Sequence, residues 1–183
     1  MKSLKNKIAL LTVSIGIFYF VSCSKDHNIP QANLNYLKFK PIDKKHPILD
    51  IYNVNFSSDI AIDSLLKEIG GDPYLFCSLS NENIDFGIEA TGINNPHLSG
   101  SFEKVKSSPK IEKLHYYTAE VIFYNADHSS EEYLSKEFLK NHISKIECIN
   151  CKVVNRFFMD TRKPYISNSM CIPVEDILKA LDD

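Results

Sequence analysis

The chain has no tryptophan and only six glycines, and these shortages already exclude some functions. Glycine-rich loops that hold phosphate groups need several glycines at fixed spacings, so a nucleotide-binding loop of that kind is excluded. The sequence also has no HExxH motif, no Gly-x-Ser-x-Gly elbow and no pair of histidines at helical spacing. We therefore expect no catalytic residues, no metal site and no cofactor.

The first 22 residues are organised as a signal peptide. Lys2, Lys5 and Lys7 form a positive start, and an apolar or small stretch over residues 8–21 follows. As a helix this stretch would rise about 21 Å, less than the roughly 30 Å of a membrane's hydrocarbon core. The segment therefore indicates an export signal and not a membrane-spanning anchor.

The signal ends in Val21-Ser22-Cys23, which resembles the lipobox of bacterial lipoproteins, although Phe20 stands where leucine is usual. The resemblance implies that Cys23 is diacylated and becomes the N-terminus, and acyl chains of this kind hold a protein on a membrane. Ser24-Lys25-Asp26 resembles the start of surface-exposed lipoproteins of the Bacteroidota. This implies lipid anchoring at the bacterial outer membrane, facing the periplasm or the cell surface. The alternatives are an ordinary secretory signal with an incidental Cys23, or a core segment of a cytosolic protein.

The mature chain is mildly acidic and reads as a tether followed by one domain. Removing residues 1–22 leaves 18 of the 21 basic residues against 23 acidic ones, a net charge of about −5, which argues against nucleic acid as a partner. Residues 23–46 are polar and contain Pro30 and Pro41, so they predict a lipidated N-terminus and tether whose small apolar cluster docks onto the domain. Residues 47–183 predict a single domain with its own core.

Hydrophobic periodicity predicts three helices, and runs rich in β-branched and aromatic residues predict six strands. The helices cover 58–69, 130–145 and 173–181. Ser57 or Ser58 would cap the first helix, and a capping box of Ser129 and Glu132 would open the second. The strands cover 48–55, 73–79, 84–90, 114–124, 151–159 and 165–172. This order predicts an α+β fold with a mainly antiparallel sheet and helices on one face. Two strand-helix-strand-strand units, by duplication or by coincidence, would precede the C-terminal helix. Residues 91–113 predict a long loop and a candidate partner contact.

Four cysteines remain besides Cys23, and an even number in an exported chain predicts two disulfides. If strands 151–159 and 165–172 form a hairpin, Cys151 lies close to facing Cys171, which leaves Cys77 for Cys148. The predicted pairs are therefore Cys151–Cys171 and Cys77–Cys148, with a local Cys148–Cys151 pair as the alternative. Two other hypotheses are a thioredoxin-like redox dithiol at Cys148 and Cys151, and a zinc site of the four thiols with or without a histidine, His142.

The turn of this hairpin carries the candidate contact residues. Arg162 and Lys163 lie at its tip, Arg156 lies on the strand below and Tyr165 just after the turn. Arg and Tyr are enriched in binding hot spots, so these four residues are candidate partner contacts, with a solvated turn as the plainer interpretation.

Together these features predict a lipid-anchored envelope protein that acts as a non-catalytic binding or accessory module for another envelope protein. Two alternatives are a periplasmic immunity lipoprotein that neutralises a secreted toxin, and a thiol-redox or hydrolytic envelope enzyme.

Overall fold

The computed structural model describes residues 28–42, 49–79, 96–106, 113–127, 130–156 and 163–182. The predicted signal peptide, Cys23, the predicted strand 84–90 and Arg162 lie outside these ranges.

Antiparallel strands form most of the described structure and pair into one sheet. Its order is β1-β2-β5-β4-β3-β7-β8, with β6 paired to the far end of β5 and β9 paired to β7. The strands are β1 (Leu34–Pro41), β2 (Tyr52–Ser58), β3 (Tyr74–Ser78), β4 (Pro96–Lys104), β5 (His115–Asp127), β6 (Ser130–Tyr133), β7 (Cys148–Asn155), β8 (Tyr165–Ile166) and β9 (Met170–Pro173). Because β1 also contacts β9, the sheet curls and its two ends approach each other.

Three helices pack their apolar residues into one core with the sheet. They are α1 (Ile62–Ile69), α2 (Lys136–Ile143) and α3 (Val174–Asp182). Leu66, Ile143 and Ile177 are each fully buried in that core, and each comes from a different helix. The class is therefore mixed α and β, as predicted, with the sheet dominating. Within the described residues, no helix is long and apolar enough to span a membrane.

The start of α2 differs from the prediction. Residues 130–133 are strand β6, paired with β5, and are not the first turn of a helix. The helix begins after Ser135, whose Oγ accepts a hydrogen bond from the backbone N–H of Phe138 at 3.2 Å. The predicted box of Ser129 and Glu132 is wrong because this later serine supplies the same capping chemistry.

The predicted loop 91–113 is also wrong over most of its described part, because residues 96–104 form strand β4 between β3 and β5. Pro96 is tolerated as the first residue of the strand. Gly100 is needed where the two backbones approach closely, since a Cβ at this position would lie 1.8 Å from the carbonyl oxygen of Glu120. Both Pro96 and Gly100 therefore fit a strand.

The predicted tether 23–46 contains strand β1, so the domain begins before residue 47. β1 pairs with β2 along its length, and Leu34 and Phe39 are buried in the core. The predicted docking of the apolar cluster is confirmed for these two residues, whereas Leu37 is half exposed. Ala32, before the strand, is fully buried.

The structure contains two disulfides, as predicted, but the predicted pairing is wrong. Cys77 pairs with Cys151, with Cα atoms 4.0 Å apart, and Cys148 pairs with Cys171 at 5.6 Å. The first bond is fully buried and joins directly opposed residues of β3 and β7. The local Cys148–Cys151 alternative is not formed either.

The register of β7 and β9 explains the correction. Cys171 faces Asn150, and Cys151 faces Met170. Neighbouring residues of a strand point to opposite faces, so a shift of one position puts Cys171 on the face of Asn150 and Cys148. Cys151 points into the core instead, where it meets Cys77.

Candidate functional site

The three candidate contacts that the structure describes, Arg156, Lys163 and Tyr165, lie in different environments. Tyr165 is fully buried, and its hydroxyl accepts a hydrogen bond from the backbone N–H of Ala32 at 2.9 Å. It also lies 3.3 Å from the carbonyl oxygen of Pro30. Tyr165 is therefore a core residue that holds the segment before β1, and its assignment as a partner contact is wrong. Lys163 is exposed.

Arg156 is the candidate contact with an unusual environment. Its Nε and Nη2 atoms are buried, and neither has a hydrogen-bond partner. It lies near Tyr74, where burial raises the pKa of the phenol and the positive charge of Arg156 opposes that rise. Buried guanidinium nitrogens with unsatisfied donors are costly for a folded protein.

A row of aromatic rings crosses four neighbouring strands on the same side of the sheet as Tyr74. The centroids of successive rings lie 5.0 to 6.5 Å apart. The distances are 6.5 Å for Tyr74 and Phe76, 5.0 Å for Phe76 and His97, 5.7 Å for His97 and Tyr124, and 5.4 Å for Tyr124 and Tyr133. Phe76 is only 6% exposed, while Tyr133 at the other end is 48% exposed. Phe76 and Val154 form a second small apolar cluster against which the partly buried Tyr74 packs, so Tyr133 is the most exposed ring of the row.

Tyr133 also lies at a cavity of about 210 Å³, where β5 changes its partner strand. Along β5, pairing with β2 ends at Val121, which faces Tyr52. Pairing with β6 begins at Tyr124, which faces Tyr133. Between them no residue of β5 pairs with either strand, although the backbone N–H of Leu134, just after β6, donates to the carbonyl oxygen of Phe123 at 3.2 Å. The residues that line the resulting space are Leu49, Asp50, Tyr52, Ile122, Phe123, Tyr133, Leu134, Ser135, Lys136 and Leu139.

Tyr52 is the lining residue of this cavity with the most unusual environment. It is 2% exposed, and its ring lies 5.2 Å from that of Phe39, stacked, and 5.4 Å from that of Phe123, edge to face. Its hydroxyl oxygen is buried and has no hydrogen-bond partner. Burial, and then the negative charge of Asp50, raise the pKa of Tyr52 well above its ordinary value. The hydroxyl therefore stays protonated at neutral pH.

The buried Tyr117 and the partly buried Tyr36 differ from Tyr52 in having carboxylate partners. Tyr117 donates to Asp63 at 2.7 Å, and Tyr36 donates to Asp176 at 2.6 Å. These hydroxyls tie strands to helices and have a structural role. Among the three, only the Tyr52 hydroxyl has no hydrogen-bond partner.

Sequence reasoning missed this cavity. It placed Tyr52 in a strand, correctly, but nothing in the run ILDIYNVN marks one residue as the wall of a cavity. The space depends on where β5 exchanges β2 for β6, and β6 was assigned to a helix.

The described residues contain no cluster of three or more histidine, cysteine or carboxylate side chains that could hold a metal ion. Comparisons of the chain with protein-family models, curated proteins and solved structures give no match.

Proposed function

We propose that this chain is a lipid-anchored protein of the bacterial outer membrane whose single, disulfide-stabilised domain binds another envelope protein and is not a catalyst. The signal-like N-terminus and Cys23 give the anchor, and the folded domain gives the binding surface. The proposal has three supports.

The observation that carries the proposal is the use of the cysteines. The chain has five cysteines, and four of them form the two disulfides, so Cys23 is the one left over. An unpaired cysteine in an exported chain needs its own explanation. Acylation of its sulfur provides one, and two disulfides fit the oxidising compartment outside the inner membrane.

The short distance from Cys23 to the fold is the second support. Ile29 already packs against the core, and Ala32 is fully buried. The six steps from Cys23 to Ile29 reach at most about 20 Å, even in a fully extended chain. A lipid on Cys23 would therefore hold the domain close to the membrane surface, near the start of β1, and not at the end of a long tether.

Arg156 supports the binding role. Its Nε and Nη2 donors are buried and unsatisfied, so a turn of this partly buried side chain towards a partner's carboxylate or carbonyl group would satisfy them, and Arg–carboxylate pairs are among the strong, geometrically specific contacts. We include Lys163, which is exposed, in the same contact.

We also propose that the three helices cover a single face of the sheet. Buried residues from all three helices, such as Leu66, Leu139 and Leu181, belong to the same core cluster. The second cluster, around Phe76 and Val154, contains no helical residue. The opposite face, with Arg156 near Tyr74, would then remain for the partner.

The thiol-redox alternative gains nothing from this arrangement. Cys148 and Cys151 belong to different disulfides, so they do not form the dithiol pair that the CxxC motif requires. Cys151 is also fully buried and out of reach of a substrate thiol.

Fractionation of cells that express the full chain or its Cys23→Ser variant tests the anchor. We expect the wild-type chain in the membrane fraction and the variant in the soluble periplasmic fraction. The two proteins should have the same melting temperature, because Cys23 makes no disulfide. A variant that stays in the membrane fraction to the same extent as wild type would refute lipid anchoring.

Cross-linking in the native envelope, followed by affinity purification, tests the binding role. An Arg156→Gln variant should lose the partner that the wild-type chain captures, while the Lys179→Gln variant on α3 keeps it as a matched control for the loss of one surface charge. Equal capture by wild type and both variants would contradict the proposed contact.

A further inference from the structure

Three exposed lysines lie where β4 ends and β5 begins. Lys104 is the last residue of β4, Lys106 follows it closely, and Lys113 comes two residues before β5. The backbone N–H of Val105 donates to the carbonyl oxygen of Tyr116 at 2.9 Å, which holds the ends of the two strands together. Within the described residues, none of the three lysines forms an ion pair. We refer to them as the β4–β5 lysines.

The charge at this end is opposite to that of the whole mature chain. The mature chain has a net charge of about −5, so an anionic surface repels it overall. Among residues 103–106 and 113–115, by contrast, the β4–β5 lysines stand against one acidic residue, Glu103. An anionic surface therefore favours contact with this end of the domain.

The chain enters the fold at the same end of the sheet. Leu34, the first residue of β1, pairs with Ser58, the last of β2, and Ser58 pairs with His115, the first of β5. Paired strands lie about 5 Å apart, so Leu34 is only about 10 Å from the start of β5. Ile29, just before β1, packs against the core, and six steps of chain from Cys23 reach at most about 20 Å. A lipid on Cys23 therefore brings this end of the sheet towards the membrane.

An exposed apolar side chain accompanies the lysines. Leu114 follows Lys113 directly and is 37% exposed. At a membrane interface an apolar group enters the boundary between headgroups and acyl chains, while neighbouring lysines reach anionic headgroups. This combination fits a lipid surface better than an acidic polypeptide, which offers charge but no apolar layer.

We propose that the β4–β5 lysines bind the anionic headgroups of the membrane that carries the lipid anchor, with Leu114 at its apolar boundary. The inference rests on the proposed anchor at Cys23, because the lipid brings these residues to the surface. The contact sets the orientation of the domain. Tyr133 pairs with Tyr124 near the other end of β5, so the exposed Tyr133 points away from the membrane.

Cosedimentation with vesicles tests the contact without the anchor. The mature chain, residues 23–183 carrying Cys23→Ser, is mixed at low salt with vesicles of phosphatidylglycerol and phosphatidylcholine in equal parts, or of phosphatidylcholine alone. We expect it to sediment with the anionic vesicles and not with the neutral ones. Added salt should release it, because salt screens charges at a surface.

Two triple variants with the same change in net charge locate the contact. The test variant carries Lys104→Gln, Lys106→Gln and Lys113→Gln, and the control carries Lys40→Gln, Lys145→Gln and Lys179→Gln. Each lysine near an anionic surface strengthens binding about fivefold, so we expect the test variant to bind anionic vesicles about 100-fold more weakly than wild type. The control should bind nearly as wild type does. Both should keep the wild-type melting temperature, since all six lysines are exposed.

Three results would overturn the proposal. The first is no binding of the wild-type sequence, with Cys23→Ser alone, to anionic vesicles. The second is an equal loss of binding in both triple variants, since net charge alone would then explain the binding. The third uses soluble polyglutamate as a probe: binding to it that is as tight as to vesicles, and is lost with the same lysines, would identify an acidic protein as the partner instead.

Failure of this contact can be told apart from failure of the proposed anchor. The vesicle assay uses a chain without Cys23, so its outcome does not depend on lipidation. A lipidated Cys23 with no vesicle binding by the Cys23→Ser chain would remove the contact and leave the anchor. An unmodified Cys23 with vesicle binding through the β4–β5 lysines would remove the anchor and leave the contact.

Discussion

Removing each disulfide in turn should destabilise the domain to very different extents. The bond between Cys77 and Cys151 joins residues 74 apart in sequence, and that between Cys148 and Cys171 joins residues 23 apart. The loop entropy that a cross-link removes from the unfolded chain grows with this separation. It corresponds to about 4 kcal/mol for the first bond and about 3 kcal/mol for the second.

Packing increases the difference. Cys77 and Cys151 are fully buried, whereas Cys171 is exposed. Replacing the buried pair by alanine also removes two core sulfur atoms, which adds about 1 to 2 kcal/mol if each counts like a buried methylene. We therefore expect Cys77→Ala with Cys151→Ala to lower the free energy of unfolding by about 5 to 6 kcal/mol. The other double variant should lose about 3 kcal/mol.

Urea unfolding followed by far-UV circular dichroism measures both losses, in a Cys23→Ser background that prevents thiol exchange. Domains of this size are stable by only about 5 to 15 kcal/mol, so the buried-pair variant should lose about a third or more of its stability and unfold at a much lower urea concentration. Peptide mapping of the non-reduced protein is the control for the pairing. An equal or larger loss on removing Cys148 and Cys171 would refute the reasoning, as would a mapped peptide that links Cys151 to Cys171.

Three further predictions concern the segment before β1 and the cap of α2. Tyr165→Phe should lower the free energy of unfolding by about 1 to 3 kcal/mol in urea titration, because it leaves the buried N–H of Ala32 without an acceptor. Ser135→Ala should cost about 1 kcal/mol through loss of the cap, with Ser135→Asp close to wild type in the same assay. A small loss of solvation works against ionisation of Asp59, but hydrogen bonds from Asn33 outweigh it and hold the pKa of Asp59 below its ordinary value. The ionised Asp59 therefore stabilises the folded protein fully at a pH above the ordinary pKa of an aspartate. This stabilisation is lost as the pH falls through the lowered pKa that Asp59 has in the folded protein. Melting temperatures measured from pH 6 to pH 2 should show a smaller acid-dependent decrease for Asp59→Asn than for wild type, and equal decreases would contradict this assignment.

The helices were predictable from the sequence because each has its own periodic apolar stripe. Ile62 and Leu66 on α1, and Ile177 and Leu181 on α3, are buried as their spacing requires. The end of α1 was also predictable, since Gly70 adopts a positive φ of 79° directly after the helix.

Strands were harder because their stability depends on neighbours that are distant in sequence. β1 alternates buried and exposed residues imperfectly, with Leu37 exposed and a register shift between Tyr36 and Lys38, so its segment resembled a polar tether. β6 has only four residues and follows the pattern of a helix start. Pairing with β5 decides its structure, and tertiary pairing of this kind overrides local propensity.

The disulfide pairing and the cavity also depend on residues that are distant in sequence. The sequence predicts that Cys151 and Cys171 lie on paired strands, and they do, but a register offset of one residue separates their side chains. The cavity at Tyr52 requires the positions of β2, β5, β6 and α2 together. Neither feature has a local signal in the chain.

The central claim, that Cys23 carries lipid while the other four cysteines are paired, is tested most directly by mass spectrometry of the mature protein purified from membranes. We predict an N-terminal Cys23 with a thioether-linked diacylglycerol and no thiol that reacts with an alkylating reagent before reduction. After reduction, four thiols should react. An unmodified Cys23, cleavage at another position or free thiols in the unreduced protein would contradict the account.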